Sequence, residues 1–494
     1  MVNTSLLYEK LIGIVGSENV TAKEIVMEAY TATAVGRLDR AGALIEKPKK
    51  PEFVVMPSST QQIQAIIRLA NAYKVPVIPM GSLTSEYADS VPLEGGIMLD
   101  MKKMNHIELD EESMNVTIEP GVTYGQAFRE LGSKGYYIAN QALPANVSIM
   151  GATTQGAPNI PLDHTKFVPY HSSLTIGLEV VLPTGELLVT GSAALPGAKP
   201  NQARAYGPDV GALFLAAQGT LGIITKQTLP LHQIPAHRHV VEGAFKDESF
   251  RGLTRTMHRI MADNLNGMIW SEMIWARYNG QETQQWEFFV VLGGSKERVK
   301  FNREFAEKII KEEGGTIKPK SRMLELEWDY SGVPVGFNYE EMVYWRPRAN
   351  SIVIPPTDVG QCTLMGRGTY DQVLELHDAA LKILAKHGVI RRRIRTGFLA
   401  VREAPRAPTP TFGLSYAYDA HDTKAVEGAK AIMEEWRTYA SARGVHYRLT
   451  PTDAKRVMPM LGEYYELLKR LKRMLDPNRI MNPGKLMDLD RESR

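Results

Sequence analysis

Cysteine is almost missing from this chain: Cys362 stands alone among 494 residues. One thiol excludes an internal disulfide framework and any zinc or iron–sulfur centre built on cysteines, and it fits a reducing compartment. Long apolar runs are missing too. No stretch reaches about 18 consecutive apolar residues, so no membrane span is expected. The start, Met-Val-Asn-Thr-Ser-Leu-Leu-Tyr-Glu-Lys, has no basic region ahead of an apolar core, and no secretory leader is expected. Nor does one sign of charge dominate. Lys and Arg number 58 against 55 Asp and Glu, a net charge of +3, which gives no case for nucleic acid as a partner. Internal repeats and low-complexity tracts are absent. What remains is an ordinary globular composition, 44% hydrophobic and 23% charged. The length suggests roughly two to four domains. A cytoplasmic protein, with a homo-oligomer as the default assembly, is the expectation.

The chain divides by pattern. Leu6–Val15 reads as a helix, and Phe53–Met56 as a strand. Ser59 through Gln62 fits a capping box, after which Ile63, Ile66, Ile67 and Ala70 fall at helical spacing. The apolar run Val75–Ile78 completes a β-α-β unit and breaks at Pro79 into a loop of small and polar residues (79–90). Such a loop at a strand's C-terminal end can turn backbone N–H groups toward an anion. Met114, Val116 and Ile118 alternate with polar neighbours as in a strand with one buried face. Thr123 can cap a helix over Tyr124–Lys134. The irregular stretch 140–161, rich in Gly, Ala, Ser and Thr, suits a second ligand-lining segment. Leu174–Leu182 and Leu187–Thr190 read as a hairpin, and Asp209–Ala217 as a short helix running through Gln218–Gly222 into the strand Ile223–Leu229.

Beyond Ile234-Pro235 the pattern becomes long helices between strands. The helices are predicted at 248–263, 296–313, 370–387 and 421–443, and the strands at 239–245, 268–275, 286–292, 351–354, 389–401 and 411–418. This implies a second α+β unit, an antiparallel sheet covered by helices. A last helix is predicted over Met458–Leu475, followed by Asp476-Pro-Asn-Arg-Ile-Met-Asn-Pro-Gly-Lys485.

Four stretches, in order, carry a family likeness: the 79–90 loop, Ile118-Glu-Pro-Gly-Val-Thr-Tyr124, Leu213-Phe-Leu-Ala-Ala-Gln-Gly-Thr-Leu-Gly-Ile-Ile-Thr225, and the segment 476–485. Together they resemble the FAD-binding oxidoreductases of the vanillyl-alcohol oxidase / p-cresol methylhydroxylase family, over nearly the whole chain, with the phenol-oxidising branch most similar. The resemblance implies an α+β fold with a two-part FAD-binding domain of the p-cresol methylhydroxylase type. Residues 1–237 would form its first part, 238–445 a cap over the substrate, and 446–494 a C-terminal segment returning to the FAD domain. Met80, Gly81, Ser82, Leu83, Thr84, Ser85, Pro144, Ser148, Gly151, Ala152, Gly222, Ile223 and Lys485 are then the candidate FAD contacts. Gly121, Gly151, Gly219 and Gly222 would permit close backbone approach to the cofactor.

The same branch places two tyrosines and an arginine around a substrate phenolate. Tyr447 and Arg448, in Gly444-Val-His-Tyr-Arg448, resemble its Tyr-Arg pair, and Tyr87 lies one residue out of step with its loop tyrosine. Three donors, one of them cationic, would stabilise the phenolate and help expel a hydride from the para benzylic carbon to flavin N5. The departures are equally specific. Val401-Arg-Glu-Ala-Pro-Arg-Ala-Pro408 offers neither His nor Tyr for covalent attachment, and the 79–90 loop has no His, so FAD is expected to be non-covalent. Ala145 and Asn146 stand where the branch carries an acid near N5. Glu86 and Asp89 bring negative charge close to a pyrophosphate site. Two alternatives stay open. One is an FAD-dependent 2-hydroxy-acid dehydrogenase of the glycolate or D-lactate type, passing electrons to a partner protein, with Arg448 or Arg395 on the carboxylate. The other is a flavin-binding subunit without its own catalysis. His237 and His239 lack a third ligand in sequence, so no metal is expected. Arg391-Arg-Arg393 reads as a solvated strand face, and Arg402 and Glu403 are possible pocket residues.

Overall fold

The structure is a computed structural model, and it describes residues 4–31, 48–83, 89–138, 146–154, 175–234, 236–265, 273–279, 285–318, 359–390, 394–401, 410–419, 421–446 and 449–487. The predicted strand at 351–354 and the arginines at 391–393 lie outside these residues.

The first sheet contains β1 (Val20–Thr21), β2 (Phe53–Val55), β3 (Val77–Met80) and β4 (Ile97–Asp100). Its order is β1-β2-β4-β3, with β2 and β3 both parallel to β4. The predicted β-α-β unit is therefore split, because β4 inserts between its two strands. All four residues of β4 are buried, as expected of a central parallel strand. The helix Thr60–Tyr73 packs Ile63, Ile66, Ile67 and Ala70 into the core. Ser59 caps it by accepting from the Gln62 N–H at 3.3 Å. Gln62 Oε1 returns to the Ser58 N–H at 2.7 Å, one residue earlier than a full capping box requires. Lys74 turns left-handed, and Val75 N–H bonds back to Ala70 O, so β3 starts at Val77 rather than at Val75.

The second sheet is antiparallel and runs β5 (Ile107–Asp110), β6 (Asn115–Ile118), β10 (Ile223–Pro230), β8 (Gly177–Val181), β9 (Leu187–Val189) in spatial order. The short strands β7 (Tyr136–Tyr137) and β11 (His232–Gln233) pair with each other. Two expectations fail here. Met114 is a left-handed turn residue outside the strand, and Asn115 is buried with its side-chain amide donating to Pro200 O at 2.8 Å. The helix predicted over Asp209–Ala217 reduces to one 3-10 turn, Gly211–Leu213. Ala216 and Gln218 sit at φ 62° and 51°, a region no right-handed helix can pass through.

The third sheet takes β12 (His237–Lys246), β13 (Met273–Asn279), β14 (Gln285–Gly294), β15 (Thr316–Lys318), β16 (Val359–Arg367), β17 (Ile394–Val401) and β18 (Pro410–Asp419). Every pairing in its order β15-β12-β14-β13-β17-β18-β16 is antiparallel. β16 was not legible in the sequence. Helices Phe250–Leu265, Lys296–Glu312, Tyr370–Lys386 and Thr423–Arg443 belong to the same unit. A core around Trp286, Phe288, Phe412, Leu253 and Ile310 joins helices and sheet.

The C-terminal helix is also revised. Gly462, at φ 55° and ψ −129°, separates Pro451–Val457 and a 3-10 turn from Glu463–Leu475. Behind the second of these helices lies a wholly buried ion pair, Lys472 Nζ to Asp476 Oδ2 at 2.5 Å. Lys472 also donates to Thr220 O at 2.8 Å and Met481 O at 3.0 Å. Asp476 accepts from the Ile480 and Met481 N–H groups at 3.1 and 2.9 Å. Residues 480–482 then bond to both main-chain groups of Val77, so the chain's end lies along β3. Removing one member of a buried pair strands the other without a partner. Asp476→Ala should lose about 3–5 kcal/mol of unfolding free energy in urea titrations. Asp476→Asn, which keeps an acceptor oxygen, should lose clearly less.

Candidate active site

The first two sheets converge on a cleft of about 550 Å³. Its walls come from three stretches: the end of β3 (Pro79, Met80, Gly81), the segment around Ser148 and Gly151, and the turn from Gln218 to Ile224. Each stretch is held by the next. Ser82 Oγ accepts from the Ser148 N–H at 2.9 Å. Ser148 Oγ donates to Pro120 O at 2.7 Å and accepts from the Gly151 N–H at 3.1 Å. The Ala216 N–H donates to Thr154 O at 2.8 Å, which binds the third stretch to the second. Gly219 is required in this arrangement. Its φ is 69°, and a Cβ there would lie 2.5 Å from Pro79 Cγ. Gly121 has a different reason from the expected one. A Cβ on it would strike the carbonyls of Met101, Lys102 and Met104, so its smallness serves packing between protein segments.

Of the candidate cofactor residues, the structure brings Met80, Gly81, Ser148, Gly151, Gly222 and Ile223 together on the cleft wall. Ser82 braces that wall through Ser148. Leu83 packs instead on Val54, Ile78, Met80 and Met98, and Ala152 is buried in the cluster with Tyr124 and Ile149. Lys485 is fully buried and not part of the lining. Thr84, Ser85, Pro144, Tyr87, Tyr447 and Arg448 lie outside the described residues, as do Arg402 and Glu403. Met101, Phe214 and Gln218 were not among the candidate contacts; the first two supply apolar wall, and Phe214 and Gln218 lie in the Leu213–Thr225 stretch that carries the family likeness.

The electrostatics answer the concern over Asp89. Among the described residues none that lines the cleft is charged. Asp89 is only 1% exposed and turned inward, where its charge acts on Lys485. Burial pushes the Lys485 ammonium down to about 7, and the Asp89 carboxylate opposes that shift. The donor set suits FAD. Small residues leave the backbone accessible to a pyrophosphate, and Ser90 adds a hydroxyl, while those of Ser148 and Thr154 donate to Pro120 O and Met150 O and brace the wall. Met101, Met150, Phe214, Ile223 and Ile224 supply apolar wall for a ring system. Among the described residues no group of three or more His, Cys, Asp or Glu side chains converges as a metal site, and no helix is long and apolar enough to cross a membrane.

Comparison with known proteins gives the same picture. A family profile described as an FAD binding domain matches residues 51–191, and one described as the C-terminal domain of FAD linked oxidases matches 411–486. The flavoprotein subunit of the hydroxylating 4-cresol dehydrogenase from Pseudomonas putida is 23% identical over 97% of this chain and 94% of its own length. A glycolate oxidase subunit of Bacillus subtilis is 28% identical, over 51% of this chain and 50% of its own. The crystal structure of p-cresol methylhydroxylase with substrate bound superposes with a TM-score of 0.80 at 20% identity, covering 99% of this chain and 98% of that one.

The state of Lys485 has a measurable consequence. The unfolded chain holds this proton up to about pH 10.4, whereas the folded chain releases it near 7. The unfolded state therefore binds more protons between these values, and stability from this site rises with pH across the window. It is full above the upper value and lost as pH falls to about 7. Unfolding free energies of wild type and Lys485→Met, measured from pH 7 to 10, should diverge in favour of wild type by on the order of a few kcal/mol.

Proposed function

The chain belongs to the FAD-binding oxidoreductases of the vanillyl-alcohol oxidase / p-cresol methylhydroxylase family, and from that premise we propose that it removes a hydride from a para-substituted phenol or a related aromatic alcohol. One observation carries this choice of substrate. The likeness to a 4-cresol dehydrogenase subunit runs through 97% of the chain, the third sheet included, whereas the glycolate oxidase likeness extends over 51%. In this reading residues 1–237 and 446–494 hold the cofactor, and 238–445 cover the substrate. Met80, Gly81, Ser82, Ser148, Gly151, Gly222 and Ile223 would hold FAD non-covalently. When bound, FAD supplies an acceptor for the hydride at its N5.

Tyr87, Tyr447 and Arg448 hold the phenol as its phenolate. The two hydroxyls donate to the phenolate oxygen, and the guanidinium balances its charge without a proton of its own to lose near neutrality. Electron density from the phenolate then weakens the para benzylic C–H bond. Ala145 and Asn146 provide no carboxylate to activate water. A substrate that needs only loss of hydride and a hydroxyl proton, such as a benzylic alcohol, therefore suits this chain better than one that must add water. Electrons leave to oxygen or to a protein partner.

The second reading, a 2-hydroxy-acid dehydrogenase, rests on the glycolate oxidase likeness. Anaerobic addition of 4-hydroxybenzyl alcohol should bleach the flavin absorbance while D-lactate leaves it unchanged; the reverse result replaces the first reading by the second. Arg448→Ala should lower turnover of the phenolic alcohol about 100- to 1,000-fold with flavin content retained. A parallel loss of flavin would make Arg448 a structural residue. Acid precipitation should release all the flavin into the supernatant.

A further inference from the structure

Two buried polar side chains stand outside the scheme above. Gln218 is 7% exposed and lines the cleft, and Asn482 is 1% exposed. Both occupy left-handed backbone, at φ 51° and 39°. Glycine adopts that conformation freely and side-chain-bearing residues adopt it at a cost, so the side chains are worth examining for what glycine would lack.

They lack nothing in purpose. Asn482 Nδ2 donates to Asp89 O at 2.9 Å and to Gln218 O at 2.7 Å. The two carbonyl acceptors fix which end of the amide is nitrogen. Gln218 Nε2 in turn donates to Leu449 O at 3.2 Å. Three stretches far apart in sequence are thus joined through two amides. Asp89 comes two residues after Tyr87, and Leu449 directly follows Arg448. The carbonyls that are gripped therefore belong to the residues just beyond both substrate-contact stretches. Between the two grips lies the turn that forms one wall of the cofactor cleft.

The segment reaching Leu449 is anchored at both ends by other means. Upstream, Val445 O accepts from the Arg367 N–H of β16 at 2.9 Å. Downstream, Thr450 caps the next helix through Asp453, which is paired with buried Arg437 at 2.8 Å. Both anchors fasten the segment to itself or to the third sheet. Leu449 also packs in the apolar cluster of Phe214, Ala217 and Leu221, and the Gln218 amide adds the directional hydrogen bond that sets its register against the cofactor cleft.

We propose that Gln218 and Asn482 are positioning residues that hold the Tyr447-Arg448 stretch and the end of the 79–90 loop in register with the bound cofactor. This rests on the reading above for its catalytic consequence, since it takes Tyr87, Tyr447 and Arg448 as the substrate contacts. The tie itself is a property of the fold and is testable without substrate.

The test uses the FAD-loaded enzyme and two variants that both lose the amide donor. Gln218→Gly relaxes the left-handed backbone, and Gln218→Met keeps the size and the strain without adding a charge or a donor to the cleft wall. Three quantities are measured: bound FAD per chain, deuterium uptake of peptides covering 445–450 and 84–90, and the dissociation constant of 4-hydroxybenzaldehyde from the perturbed flavin spectrum. Both variants, compared as their FAD-loaded fractions, should keep wild-type uptake at 84–90. Uptake at 445–450 should quicken about tenfold, and 4-hydroxybenzaldehyde should bind about tenfold more weakly. Asn482→Gly should quicken uptake in both peptides. Unchanged uptake at 445–450 overturns the proposal, as does an effect confined to Gln218→Gly, which would trace to backbone freedom rather than to the amide. If uptake responds as expected but wild type shows no spectral response to the aldehyde, the tie stands and the phenol reading fails.

Discussion

The ion pair between Lys472 and Asp476 does more than close one helix. It is wholly buried, and each partner has further bonds: the lysine to the carbonyls of Thr220 and Met481, the aspartate to the N–H groups of residues 480 and 481. Burying two charges is expensive, and the geometry offsets that cost only when the remaining donors and acceptors are satisfied, as they are here. The result is specific placement. The C-terminal segment is held against the turn at 220 and against β3, and this is what shapes the cleft. Without that clamp Asn482 could not reach Asp89 and Gln218.

The cleft wall is electrically quiet, and its charges stand one layer back. Asp89 and Lys485 are both buried, the charge of the first acts on the second, and neither lines the cleft. A pyrophosphate in such a place relies on oriented backbone dipoles. The carboxylate that looked unfavourable in the sequence is buried, with its charge acting on a lysine near the far end of the chain.

Much of this was legible in the residues. The periodicity of Ile63, Ile66, Ile67 and Ala70 marks a buried helix face, and the alternation of long helices and strands beyond 238 marks the antiparallel sheet. The joint occurrence of the glycine-bearing stretches and the Asp476–Lys485 segment points to the cofactor family. What failed were features set by tertiary contact. Local apolar pattern favours a helix at 209–217, but the chain must instead turn left-handed at Ala216 and Gln218 to form the cleft wall. A six-residue helix at Ile149–Thr154 hid in sequence that reads as irregular, because its hydroxyls and glycine satisfy neighbouring backbone groups. Gln218 and Asn482 lie in stretches that carry the family likeness, but their roles were not legible there. Neither is unusual as a residue type, and their importance lies in partners hundreds of positions away.

The bridge between Val77 and Met481 carries an implication for biosynthesis. Asn482 emerges from the ribosome 393 residues after the Asp89 carbonyl that it holds. The open edge of β3 must wait through the synthesis of the entire third sheet before its neighbour arrives. That sheet draws its strands from one contiguous span, 237–419, and can assemble during the wait. The cleft is thus finished last, after the third sheet has had time to fold.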